Sequence, residues 1–122
     1  MATGLSRETR EAVYARDGYS CVRCFRTSGL SVHHRRPRGM GGTSLDDVHH
    51  KANLITLHGD GVTGCHGWVE SHRTLAYALG YLCPSWEDPE AWPVYRGRGV
   101  WQQPGESWTP AQPQPGQSAE PM

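Results

Sequence analysis

Metal-ligating side chains recur along this chain in a fixed order: Cys21-x-x-Cys24, His33-His34, Asn53, Cys65-His66 and His72. The first cysteine pair has the spacing of a metal knuckle, and a third cysteine stands downstream of the paired histidines. The two kinds of ligand interleave, so a structural metal and a second metal would have to share one compact unit. The composition makes such a staple necessary. Only 36% of the 122 residues are hydrophobic, Phe occurs once, and there are 15 Gly and 9 Pro. A core that thin needs a metal or disulfides to hold it.

Nothing at the N-terminus resembles a signal peptide, because Met1 to Leu5 runs directly into Arg7, Glu8, Arg10 and Glu11. No apolar stretch approaches the ~20 residues of a membrane span. The expected setting is a reducing cytoplasm. There Cys-x-x-Cys reads as metal-binding or redox-active, and no thioredoxin-like context surrounds it.

The formal net charge of zero hides an asymmetry. Residues 1–40 carry eight arginines against three acids, and the stretch from residue 84 carries two arginines against five acids. Arg35, Arg36 and Arg38 follow the paired histidines directly and point to a phosphate-bearing substrate. Arg7, Arg10 and Arg16 serve that substrate equally well or simply solvate a helix.

Local signals order the elements. Ser6 is an N-cap for a helix over residues 6–16, which Gly18 ends. Leu30–His34 alternates as a strand that Pro37 stops, and Gly39, Gly41 and Gly42 mark a loop. Asn53–Leu57 is a second strand. Apolar residues at helical spacing predict one helix from Cys65 or His66 to Leu79, closed by Gly80. Short strands at Pro93–Tyr95 and Val100–Gln102 turn on Arg96–Gly99. Residues 1–102 form the domain. Residues 103–122, rich in Pro, Gly and Gln, form a tail expected to be disordered.

This order places chemistry. His33 and His34 point to opposite faces of their strand, so one can ligate a metal while the other faces substrate. Glu70 lies four residues after His66, on the same helical face. His72 lies about 120° away on a regular helix, which makes Glu70 the better second ligand from that helix. Trp68 reads as core. His49 and His50, among Asp46, Asp47 and Lys51, read as solvated.

The stretch Cys21-x-x-Cys24, Val32-His33-His34-Arg35-Arg36-Pro37, Gly41-Gly42, Asn53-Leu54-Ile55-Thr56-Leu57, Cys65-His66-Gly67-Trp68 resembles the HNH endonucleases, most closely the small phage-encoded members. The resemblance covers about residues 8–80. It implies an α+β fold with a ββα-metal (His-Me finger) core and a zinc-bound cysteine knuckle. It implies His33 and His66 as ligands of a catalytic Mg²⁺, Mn²⁺ or Ni²⁺, with Glu70 or His72 as a further ligand. His34 would be the general base, and Asn53 would orient it and brace the loop. Arg35, Arg36 and Arg38 would grip DNA. The family's structural zinc commonly takes four cysteines; here Leu57-His58 departs from that pattern. The implied site is Cys21, Cys24, His58 and Cys65, with Cys83 a lesser candidate for fourth ligand and otherwise a buried thiol. The implied activity is DNA cleavage or nicking of weak specificity. In phage members it serves DNA packaging beside the large terminase subunit. A zinc-stabilised DNA-binding or packaging-assembly module without catalysis is the alternative.

Overall fold

The computed structural model describes residues 5–36 and 50–119. The expectations for Pro37, Arg38, the Gly39–Gly42 loop, Asp46, Asp47 and His49 lie outside the described residues. Among those described, three α-helices and two small antiparallel sheets make an α+β structure. No helix among them is long and apolar enough to cross a membrane.

Helix α1 spans Arg7–Arg16. Its cap is Ser6, whose Oγ accepts from the Thr9 amide at 3.0 Å, satisfying one of the orphan donors of the first turn. The first sheet pairs β1 (Leu30–His34) with β2 (Leu54–His58), in register from Leu30↔His58 to His34↔Leu54. A 3₁₀ turn at Lys51–Asn53 leads into β2. Residues Leu54 to Leu57 of β2 are all buried, so this strand is covered on both faces. Ile55 and Leu57 join Val22, Val69, Leu79, Leu82 and Val94 in the main core.

The single helix expected from residue 65 to 79 is two helices. Helix α2 spans Gly64–Ser71 and α3 spans Arg73–Leu79, with His72 between them at φ −128°, ψ 55°. Two local interactions compete with a continuous ladder. Ser71 Oγ donates to the Trp68 carbonyl at 3.2 Å, and the His72 ring stacks on Trp68 with centroids 4.7 Å apart. The Ala76 amide then bonds to the His72 carbonyl and restarts the helix. Gly80 ends α3 at φ 86°, where a Cβ would collide with the Pro93 carbonyl.

The second sheet has the order β3 (Val94–Gly97), β4 (Val100–Gln103), β5 (Thr109–Pro110). Its third strand corrects the expectation of a disordered tail. Residues 103–119 return over the domain: β5 pairs with β4, Gln117 is buried, and its Nε2 donates to the Pro93 carbonyl at 2.8 Å. The tail has little apolar surface but spends it well. The Trp108 indole lies against the guanidinium groups of Arg16 and Arg96, at 5.1 and 4.1 Å.

Asp17 organises this side of the molecule. Its carboxylate accepts from Arg16, from the Thr56 amide and from Trp108 Nε1. Arg16 also donates to the carbonyls of Lys51, Leu54 and Gly105. Arg16 is therefore a structural cation that ties α1 to β2 and to the tail, and not a residue solvating a helix.

Candidate metal centres

Two groups of ligating side chains converge around the β1–β2 hairpin and the start of α2. In the first, one ligand atom from each of Cys21, Cys24, His58 and Cys65 lies within 4.8 Å of all the others. The knuckle brings Cys21 and Cys24 together by a turn in which the Phe25 amide bonds to the Cys21 carbonyl and the Cys24 amide approaches Cys21 Sγ at 3.5 Å. The end of β2 supplies His58, whose Nδ1 is 3.2 Å from Cys24 Sγ. The first turn of α2 supplies Cys65. All four cysteines are free thiols.

Three sulfurs and one imidazole are a donor set suited to tetrahedral zinc. The acidities of two of these thiols move in opposite directions. Burial pushes the Cys21 thiol up, but hydrogen bonds from the His58 side chain and from the backbone of Cys24, His58 and Arg23 outweigh it and hold it at about 7. Burial pushes Cys65 up to about 12, against the lowering effect of the Arg23 guanidinium. One thiolate thus forms readily, and a cation completes the others. The residues fit zinc, and His58 stands where a fourth cysteine was the commoner choice.

The second group is His33, His66 and Glu70, whose ligand atoms also lie within 4.8 Å of one another. The two imidazole rings meet edge to face at 5.0 Å. Their outer hydrogen bonds set the tautomers. His33 Nε2 is 2.9 Å from the Tyr81 carbonyl, which can only accept, so Nε2 carries the proton and Nδ1 keeps its lone pair. His66 Nδ1 is 2.9 Å from Ser31 Oγ, which sits 2.7 Å from the Gly59 carbonyl. Ser31 gives its proton to Gly59 and accepts from His66, leaving His66 Nε2 free. Both rings are held as metal-ligating histidines are held elsewhere, by a partner on the far nitrogen. Burial, then the neighbouring His66, lowers His33 to about 3. Burial also lowers His66, against Glu70 and Asp60. Both imidazoles are neutral at neutral pH, the state in which they can ligate. Two imidazoles and a carboxylate fit a divalent first-row cation.

Other expected residues fall in different places. Glu70 keeps the His66 face because α2 is regular between them; its Oε1 also pairs with Arg73 at 2.8 Å. His72 is not in the group: the helix breaks at it, and its exposed ring lies on Trp68. Asn53 is fully buried and braces the end of the hairpin, accepting from the Arg36 amide at 2.7 Å and donating to the Arg36 carbonyl at 3.1 Å. His34, half-buried, pairs with Leu54 across the sheet and belongs to neither ligand group.

Arg35 corrects a second expectation. It is 0% exposed, and its guanidinium donates to the carbonyls of Gly80, Ala52, Pro89 and Trp92. Burial lowers it to about 10. It cannot reach DNA. Arg36 is half-buried, with Nη1 donating to the Glu87 carbonyl at 3.1 Å. Cys83 is a buried thiol outside the zinc group, pushed up to about 11 by burial. His50 caps the 3₁₀ turn by accepting from the Ala52 amide, and its Nε2 meets Glu90 at 3.0 Å.

Sequence reasoning passed over Ser31 and Arg23. Ser31 is two residues before His33 on the same strand face, a signal that could have found it. Arg23 stands inside the cysteine knuckle, and only the fold shows what it touches. Fold and site together define a small α+β protein with a Cys/His cluster able to hold a metal. Comparison with protein-family models, with curated proteins and with solved structures finds no match for this chain.

Proposed function

We propose that this chain is a metal-dependent endonuclease of the HNH type, with β1, β2 and α2 as its ββα-metal core and DNA as its substrate. One observation carries the reading: His33 from β1 and His66 and Glu70 from α2 bring ligand atoms within 4.8 Å of one another, with a second histidine next to His33 on β1. The excess of arginine over acid in residues 1–40, even with Arg16 and Arg35 held inside the fold, supports a phosphate-bearing substrate.

His33, His66 and Glu70 would hold Mg²⁺, Mn²⁺ or Ni²⁺. When bound, that ion supplies Lewis-acid stabilisation of charge on the phosphoryl and leaving oxygens. His34 would take a proton from water as the water oxygen attacks phosphorus, the P–O bond to the leaving oxygen breaks, and the leaving oxygen takes a proton from solvent. Asn53 holds the backbone just beyond His34 and so limits where that imidazole can sit. With Arg35 buried, Arg36 and Arg38 are the cations left to meet phosphates on this segment. Packaging of phage DNA beside a large terminase subunit is the setting proposed for the activity.

A plasmid-nicking assay with each of the three ions tests the reading. Wild type is expected to relax supercoiled DNA. His34→Ala is expected to lose ~10²–10⁴-fold in rate with fold and zinc content unchanged. A protein that retards DNA in a gel but cuts with none of the ions is a binding module, and the nuclease reading falls.

A further inference from the structure

Arg23 stands between Cys21 and Cys24 and touches two things at once. Its Nη1 donates to Cys65 Sγ at 3.2 Å, and its guanidinium lies 3.7 Å from the centroid of the Trp68 ring. Trp68 sits on α2 between His66 and Glu70, and His72 stacks on the same indole at an interplanar angle of 11°. One cation from the knuckle therefore grips α2 at two points, Cys65 and Trp68, on either side of His66.

The charges give the contact its direction. Three thiolates and a neutral imidazole around a divalent ion leave one net negative charge. A partly buried anion of that kind is stabilised by a donor cation in contact with it. Arg23 is placed to donate to Cys65 Sγ as a cluster ligand. The planar guanidinium holds Trp68 at the same time, because the stack and the N–H···S bond share one rigid group. Cys65 and His66 are neighbours in the first turn of α2, so a small rotation there moves His66 directly.

We propose that Arg23 is a positioning residue that couples the two metal centres: gripping α2 at Cys65 and at Trp68, it holds the helix where His66 and Glu70 meet His33. This rests on the metal reading of both groups.

The test uses the full chain loaded with zinc, or with Co²⁺ in its place, and measures Mn²⁺ affinity at the second group by calorimetry. Arg23→Ala is expected to retain the structural ion and to lose about tenfold in Mn²⁺ affinity, the low end for an outer-shell contact. Its Co²⁺ protein is expected to show the sulfur-to-metal charge-transfer band at longer wavelength, because Cys65 has lost a donor. Trp68→Leu breaks the stack and leaves the Cys65 bond. It is expected to weaken Mn²⁺ binding with the Co²⁺ band unmoved, and it serves as the test if Arg23→Ala does not fold. Wild-type Mn²⁺ affinity in a folded Arg23→Ala, or in Trp68→Leu, overturns the coupling. Wild-type protein that binds no Mn²⁺ at all overturns the metal reading instead.

Discussion

Trp108 Nε1 donates to Asp17 Oδ1 at 2.9 Å, joining residues 91 positions apart. The bond closes the tail onto the end of α1, and the same carboxylate holds the Thr56 amide of β2. Trp108→Ala removes the indole, its two guanidinium contacts and this hydrogen bond. A loss of about 2–3 kcal/mol in urea denaturation is expected. Truncation after Gln103 is expected to cost more, since Gln117 and β5 go too. Glu106→Ala is the control: its pair with Lys51 is exposed and worth at most about 0.5 kcal/mol. A truncated protein as stable as the full chain would show that the tail merely rests on the domain.

Arg35 gives the second expectation. Arg35→Met leaves the carbonyls of Ala52, Gly80, Pro89 and Trp92 without their buried donor. The expected cost is about 3 kcal/mol or more. Arg35→Lys keeps the charge but not the fork, and it is expected to recover only part of that loss. For any DNA binding, the salt dependence should be the same in folded Arg35→Met as in wild type, because Arg35 contributes no phosphate contact. A shallower salt slope in the methionine variant would return Arg35 to the DNA surface.

How much of this was legible follows from which interactions are local. The knuckle spacing, the Ser6 cap, the first strand and the Gly80 cap depend on neighbouring residues, and each is where the sequence placed it; the second strand starts one residue later, at Leu54, because Asn53 closes the 3₁₀ turn. The same holds for Glu70, because four residues of regular helix separate it from His66. Arg35 was not legible. Its burial depends on carbonyls contributed by residues 52, 80, 89 and 92, and no short-range pattern announces such a cage. The tail failed for a related reason: composition counts apolar surface, whereas Trp108 and Gln117 are held by partners far away in sequence. The break at His72 was missed because helical periodicity continues through it, while a ring stack and a serine bond decide the backbone.

Zinc removal tests the Cys/His cluster as a staple of the fold. Cys21 and Cys65 are buried members of the main core as well as candidate ligands, so an emptied cluster leaves thiols against Val22, Leu57 and Val69. One tightly held zinc per chain is expected by atomic emission. A strong chelator is expected to unfold the protein cooperatively by circular dichroism. His58→Ala is expected to lower both zinc retention and stability. Full stability in chelator would mean that the core stands without the metal.

His33 sets a pH dependence whose sign can be worked out. Its folded value is depressed from 6.5 to about 3, by burial first and by His66 second. A histidine lowered in this way is neutral in the folded chain and takes a proton on unfolding. The stability it contributes is fully present above 6.5 and is lost as the pH falls through the window from 6.5 toward 3. Within that window one extra proton on the unfolded state gives a slope of about 1.4 kcal/mol per pH unit. Acid also strips zinc, so wild type must be compared with His33→Gln, which removes the titrating ring and leaves the cysteine cluster untouched. Urea denaturation of both proteins at about pH 7, 6 and 5 is the measurement, with no divalent ion added beyond zinc. Wild type is expected to lose stability more steeply than the variant below about pH 6.5 and at the same rate above it. Equal slopes would mean that His33 titrates normally in the folded protein despite its burial.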